Sequence, residues 1–444
     1  MITQEETLLA RESLQYALDG GASAARVTLT KTTENIVATL DGAVDKVTRC
    51  ADRSISVALF VDGRFGSFSI NKLEREALRA FVREAIDTVR MFEPDGFRKL
   101  PSAERSCTAA RTGLELSIHD DACPMTSPSE RVERALAAAV TGKDTGGVKV
   151  ISEEGEYSDT EYDTLVLDSQ GLECRHSETT FDYGVEVTIE DGKGLKYSDY
   201  WWTSSPLLAG FDASTCGLTA VRRAASQIGA RPARSGKYNM VVSTEAASRM
   251  VSPLLNALNA YSIQQGNSFL VGSLGKKMFH EGLSIIDEPL RPGETGSKLF
   301  DGEGIACANE PVILDGIVRR YSVNTYMAGK LGIAPTVEDV IRARVAPWPY
   351  PGLDRDKLMS ICGDGILVTD FNGGNCNMTT GDFSYGISGQ LFRGGKPVRP
   401  VNEMLVTGNF LDLWSRFIAS GDDYRLCNSR LVPSLAFSGV DFSG

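Results

Sequence analysis

The order in which helical and alternating patterns follow one another constrains this chain most. Residues Thr3 to about Leu18 read as a helix, with Thr3 and Glu6 spaced as a capping box and Gly20-Gly21 as the stop. Four β-prone runs come next, AARVTLTKT, NIVATLDG, VDKVTRC and ISVALFVDG, punctuated by Gly63, Gly66 and Asn71. A second helix then carries Leu73, Ala77, Leu78, Phe81, Val82, Ala85, Ile86 and Val89 on one stripe. Helix, antiparallel strands and helix in succession predict an α+β architecture, with helices covering one face of an N-terminal sheet.

The rest of the chain extends this pattern. The polar stretch from Glu93 to about Thr112 reads as a linker, Ser129 to Val140 as an amphipathic helix, and Val148 to about Ser204 as a β-rich series. In that series Tyr183, Val185, Val187 and Ile189 alternate and so share one face. Trp201-Trp202 ends it, as an anchor for a ligand or partner or as cover for a core. A helix from about Cys216 to Ile228 follows. Beyond Phe269 the sequence is β-rich, with helices expected near Thr336 to Arg344 and Asn409 to Ala419. Three regions result: an N-terminal α+β domain at 1–105, a central β-rich region with flanking helices at 112–230, and a β-rich C-terminal domain at 235–444.

Composition serves mainly to exclude. The 444 residues are 42% hydrophobic and 23% charged, enough for real cores and unlike a disordered chain. A net charge of -12 argues against general affinity for nucleic acid, which needs clustered Lys and Arg. No apolar run approaches the roughly 18 residues that cross a bilayer, and MITQEETLLARESLQ has neither a signal-peptide nor a lipidation pattern. Nine cysteines without a CxxC pair point to reduced thiols in a cytoplasm. His119, His176 and His280 are too far apart in sequence to form a local metal pair.

The stretch from Tyr238 to Phe269 reads as a strand running into a helix. Met240 to Val242 are β-prone, and Ser243 or Thr244 is placed to cap the helix that follows. Ala246, Ala247, Met250, Val251, Leu254, Ala257 and Leu258 form its buried stripe. Pro253 inside it removes one ladder bond, which predicts a kink or a change of winding. Glu245 in the first turn is favoured by the helix dipole and needs no function.

Standard nucleotide and hydrolase motifs are absent. Gly272-Ser-Leu-Gly-Lys-Lys lacks the P-loop spacing, Gly363-Asp-Gly lacks a third glycine, and no GxSxG occurs. His280-Glu281 begins like a zinc-protease motif, but Ser284 and Ile285 stand where a second histidine belongs. The segment from Phe371 to Gly389 is rich in Gly, Asn and Thr. It reads either as a functional loop, with Asn375, Asp382, Ser384 and Tyr385 as candidate substrate-binding residues, or as two β-turns. Cys376 or Ser384 as a nucleophile would need a base, and no histidine is near either in sequence.

SFSINKLEREAL, Ser268-Phe-Leu, Ile286-Asp-Glu-Pro289, Phe300-Asp-Gly-Glu-Gly304, Thr380-Gly-Asp-Phe-Ser384, Thr407-Gly-Asn409 and Pro433-Ser-Leu435 occur in this order along nearly the whole chain. Together they resemble the TldD/PmbA family, and within it the PmbA (TldE)-like branch that lacks the HExxxH zinc motif. The resemblance implies a peptidase system in which a TldD-like subunit carries zinc on HExxxH and pairs with a TldE-like one to trim peptides and unfolded chains. The label "modulator of DNA gyrase" belongs to the same family. Placed against the motif, Thr244 stands at the first histidine, Glu245 at the glutamate and Arg249 at the second histidine. Neither Thr nor Arg replaces an imidazole on Zn²⁺, and residues five apart on a regular helix diverge by about 140°. The expectation is a chain with no catalytic residue and no metal of its own, with zinc in a TldD-like partner. That partner makes a heterodimer, or the chain makes a homodimer with itself, and peptide adds as a strand at a sheet edge. A stand-alone homodimeric peptide-binding protein is the alternative. Around residues 327–340 the sequence departs from the Gly- and Asn-rich loop expected of the branch.

Overall fold

Three sheets organise the chain, and the computed structural model describes residues 1–140 and 145–444. Helix α1 (Gln4–Asp19) begins at Thr3, whose hydroxyl accepts from the Glu6 N–H while the Glu6 carboxylate accepts from the Thr3 N–H, the expected capping box. Strands β1 (Ala24–Leu40), β2 (Ala43–Val61) and β3 (Arg64–Ile70) follow, then α2 (Arg75–Val89). The four β-prone runs are thus two long strands and not four. Polar residues between the runs stay extended because β1 pairs with β2 on one side and with a later strand on the other, so neighbours supply what local propensity does not.

Helices α3 (Ala122–Met125) and α4 (Pro128–Ala138) lead to β4 (Lys149–Asp168), β5 (Glu173–Glu190), β6 (Lys196–Ser205) and α5 (Cys216–Ala225). The strand order β3-β2-β1-β4-β5-β6 joins strands of the 1–105 and 112–230 regions in one antiparallel sheet. Odd-numbered positions of β1, β4 and β5 face the helices. Helices α1 and α2 cover Val27, Leu29, Leu165 and Leu167 at one end, while α4 and α5 cover Val37, Tyr157, Phe181 and Tyr183 at the other. Between these two cores Arg131 holds both oxygens of the buried Asp159, at 2.6 and 2.9 Å. The even-numbered face of the same strands is polar, with Thr28, Thr164, His176, Glu178, Asp182 and Glu186.

The stretch read as a linker is instead a packed strap. The Cys107 N–H donates to the Gly304 carbonyl at 2.9 Å, the Arg175 N–H donates to the Ala110 carbonyl at 2.8 Å, and Cys107 and Ala110 are buried.

The C-terminal part contains β7 (Gly236–Val242), α6 (Thr244–Ala257), α7 (Ala260–Gln264), β8 (Ile285–Asp287), β9 (Glu310–Leu314), β10 (Ile317–Val318), α8 (Thr325–Leu331), β11 (Ala343–Val345) and α9 (Arg355–Cys362). It ends with β12 (Gly365–Cys376), β13 (Asp382–Arg393), β14 (Lys396–Asn409), α10 (Phe410–Ser415), β15 (Phe417–Ser420) and β16 (Leu435–Ser443). The large sheet runs β14-β13-β12-β7-β16-β15, and β14 also pairs with β16, so five strands close into a ring that leaves few open edges. The apolar stripe of α6 is buried in this core as expected, and α6 runs through Pro253 as one helix. A small sheet, β10-β9-β8-β11, sits beside it.

Two helix expectations fail here. At residues 336–344 the N–H groups of Glu338, Ile341 and Arg342 donate to the carboxylates of Asp301 and Asp287, which hold the stretch extended. The helix lies just before it as α8, capped by Asn324 and ended by Gly332 at φ 66°. The span from Asn409 to Ala419 divides into α10 and β15. The segment from Phe371 to Gly389 is neither an open loop nor two turns but the two arms of the β12–β13 hairpin, with a bulge where Gly374 sits. A Cβ on Gly374 would lie 2.0 Å from the Ser384 carbonyl oxygen, so only glycine fits that approach.

Candidate functional site

The start of α6 is tied to its surroundings, residue by residue. Ser243 occupies the cap position, but its hydroxyl donates to the Val368 carbonyl at 3.2 Å, and the Thr244 hydroxyl donates to the Val432 carbonyl at 2.9 Å. Neither caps the helix, contrary to the sequence expectation; both fasten it to neighbouring strands and loops. Glu245 Oε1 accepts from Arg223 Nη1 of α5 at 2.7 Å, and Arg223 Nε donates to Asp199 of β6 at 2.9 Å. Gln227 Nε2 adds a bond to the other Asp199 oxygen at 3.0 Å. Burial works against the Arg223 charge, but Asp199 and Glu245 outweigh it and hold its pKa above the ordinary guanidinium value. Burial, with repulsion from the same two carboxylates, pushes the carboxyl of nearby Asp370 upward.

This hub lies under the tryptophan pair. Arg223 sits 5.2 Å from the Trp201 ring, and Arg425 lies 3.9 Å from both the Trp201 and the Trp202 ring centroids. The pair therefore covers a seam between the long sheet and the C-terminal unit. Beyond Trp202 the polar sheet face opens as a groove of about 800 Å³, lined by Glu154, Glu156, Asp182, Glu186 and Tyr200 among others.

One turn further along α6, Arg249 is exposed. Its guanidinium lies 4.6 Å from the Tyr385 ring and reaches the Gly374 carbonyl at 3.5 Å. Burial pushes up both the Tyr385 phenol and the nearby Cys376 thiol. Tyr385 is buried, whereas Asn375 and Ser384 face each other across the hairpin at the next position of the pleat. Asp382 lies at the hairpin end, where it accepts from Thr380 at 2.6 Å and Asn409 at 2.9 Å. The four candidate substrate-binding residues thus share one hairpin but not one face. Asp199, Arg223 and Arg425 had no sequence signal beyond the neighbouring Trp201-Trp202, because their partners come from three separate elements.

Zinc is the group that the family resemblance raises, and the donor set at the motif positions does not suit it. A guanidinium at 249 repels a cation, the 244 hydroxyl is already a donor to a carbonyl, and the Glu245 carboxylate faces Arg223. The histidines are dispersed: His119 bonds Glu161 at 3.0 Å, His176 bonds Glu178 at 3.1 Å, and the His280 ring packs on Trp348 and Phe417. Among the described residues no three His, Cys, Asp or Glu side chains are grouped to hold a metal ion.

Comparison with known proteins places this geometry in a family. Residues 25–88, 123–228 and 235–444 match in turn the models for PmbA/TldA metallopeptidase domain 1, central domain and C-terminal domain. The metalloprotease PmbA of Escherichia coli O157:H7 is 26% identical over 440 residues, 96% of each chain. A crystal structure of a putative modulator of DNA gyrase from Bacteroides thetaiotaomicron superposes with a TM-score of 0.94 at 36% identity, covering 100% of both chains. TldE from Thermococcus kodakarensis superposes with a TM-score of 0.84 at 16% identity over 98% of this chain and 100% of its own, a likeness of fold.

Proposed function

Because the chain belongs to the PmbA/TldD metallopeptidase family, we propose that it acts as a TldE/PmbA-like, non-catalytic subunit. In this reading a TldD-like partner brings HExxxH and zinc, and the two together act on peptides or unfolded chains. The observation that carries it is the Glu245–Arg223–Asp199 hub. A general base of a zinc peptidase must face a metal-bound water, and Glu245 faces a guanidinium at 2.7 Å. Its role here is to hold α6 of the C-terminal unit to α5 and β6 of the long sheet. The ring closure of the C-terminal sheet and the side chains bonded to β6, with Gln227 on the Ser198 carbonyl and Arg425 on the Trp202 carbonyl, restrict strand addition at those places. The open polar groove beside Trp202 is the wall offered to a peptide. All nine cysteines are free, which suits work in the reducing cytoplasm; among the described residues no helix is long and apolar enough to cross a membrane.

Metal analysis and peptidase assays on an unfolded protein substrate test the proposal, with the chain alone and mixed with an HExxxH-bearing family member. The expected result is less than a tenth of an equivalent of zinc and no cleavage by the isolated chain, with cleavage in the mixture. Stoichiometric zinc with activity in the isolated chain would sink it. A stable homodimer that binds peptide and ignores every HExxxH chain would establish the alternative.

A further inference from the structure

A second cavity, of about 550 Å³, opens on another part of the seam between the long sheet and the C-terminal unit. One wall is the polar sheet face at Tyr162, Thr164, His176 and Glu178; the other comes from the segments around Lys298, Asp301 and Glu338. Its size is that of a small-ligand site.

Most polar groups on its walls are already satisfied. His176 and Glu178 bond each other at 3.1 Å, and Asp301 accepts from the N–H groups of Glu303, Ile305 and Glu338 at 2.9 to 3.1 Å. Two charges are not. The Lys298 ammonium has no hydrogen bond and no ion pair within 4 Å among the described residues, and it reaches Glu178 across the cavity only through its field, helping to hold that carboxyl below its ordinary range. Among the described residues Glu338 accepts only the Gly302 N–H, on one oxygen at 2.7 Å, and no cation pairs with it. Burial and the neighbouring Asp301 carboxylate push its pKa up to about 7, as expected of a carboxylate that lacks a positive partner. Beneath the Lys298 wall the Thr295 hydroxyl is closed off from solvent and has no hydrogen-bond partner among the described residues, so it does not face the cavity.

A cation without an ion pair, and a carboxylate without one elsewhere in the same cavity, are the complement of a zwitterion. We propose that this cavity binds a free amino acid or dipeptide, its α-carboxylate toward Lys298 and its α-ammonium toward Glu338. The choice of a peptide-derived zwitterion rests on the peptidase reading above; the charge pattern does not. The site holds the short product of peptide breakdown.

Isothermal titration of the full chain with alanine, dialanine, N-acetyl-dialanine and dialanine amide at pH 7.5 tests this. Dialanine or alanine is expected to bind, and blocking either end is expected to weaken binding at least tenfold. Lys298→Met should erase the preference for a free carboxylate and keep that for a free ammonium, and Glu338→Gln should do the reverse. Absence of binding by both free ligands, equal binding of free and blocked forms, or unchanged selectivity in both folded variants overturns the proposal. Should a variant not fold, the blocked ligands on the unaltered chain decide alone. Zwitterion binding without partner-dependent cleavage would leave this inference standing and count only against the peptidase reading, and the opposite pattern would sink this inference alone.

Discussion

Two parts of one seam join the long sheet to the C-terminal unit, and they treat buried charge in opposite ways. At the Arg223 part, two carboxylates from different elements meet one guanidinium, with Asp199, Arg223 and Glu245 side chains only 13, 14 and 9% exposed. At the Glu338 part, the Glu338 carboxylate and the Lys298 ammonium line one cavity, and neither has an ion pair within 4 Å among the described residues. A matched cluster fixes the relative position of the elements that contribute to it, while an unmatched one leaves its charges to be satisfied from outside. The difference separates a structural contact from a binding cavity along a single boundary.

The largest expected effect comes from breaking the matched part. Arg223→Ala leaves Glu245 and Asp199 nearly buried without their cation, which costs about 2–4 kcal/mol of stability. Urea unfolding gives this loss, and a double-mutant cycle with Glu245→Gln isolates the pair, with a coupling of about 1–3 kcal/mol expected. A coupling under about 0.5 kcal/mol would place the pair with ordinary surface salt bridges and erase the contrast.

The unmatched part has its own signature in pH. Glu338 is raised from 4.5 to about 7, so the folded chain favours its protonated form. Its stabilising contribution is therefore full below about pH 4.5 and is lost as pH rises through about 7. Glu338→Gln, which keeps a neutral side chain at every pH, should leave stability near the parent value at pH 4.5. At pH 8 it should exceed the parent by about 1–2 kcal/mol, a figure reduced for solvent screening. Thermal unfolding of both chains without ligand across pH 4.5–8 measures this. A variant less stable than its parent at pH 8 would show that the carboxylate is matched after all. The other charges facing the site are Asp301, Glu303, Asp339, Glu178 and Lys298, with His176 bonded to Glu178, and they are common to both chains.

What was legible in the sequence followed how local each signal is. The Thr3–Glu6 capping box, the buried stripe of α6 and the alternation through Tyr183 to Ile189 each depend on residues a few positions apart, and each appears as expected. The extended 336–344 stretch was hidden because the carboxylates that hold it, Asp287 and Asp301, come from tens of residues earlier. The family-like segments themselves turn out to supply such long-range ties: Asp287, Asp301 and Asp382 each accept several hydrogen bonds that shape a turn or strand. In the candidate site, Glu245 could be singled out by position, but nothing near it in the chain announces Arg223. Asn375, Asp382, Ser384 and Tyr385 read as one set in the sequence, and the pleat of β12 and β13 turns Tyr385 away from the Asn375–Ser384 pair.

The smallest effect is expected on the same helix as the largest, and it sharpens the comparison most finely. Arg249 lies one turn beyond Glu245, exposed above Tyr385, where its contact with the ring is worth about 0.5–1 kcal/mol. Arg249→Ala should therefore lower the denaturant midpoint by less than a third of the shift seen for Arg223→Ala. The hydrogen bond to the Gly374 carbonyl, at 3.5 Å, is too long to add much. Such a result would mean that α6 is held at its first turn and left free at its second, so that the two turns do not act as a unit. A loss above about 2 kcal/mol would instead make Arg249 part of a second buried contact, with the helix anchored at both positions.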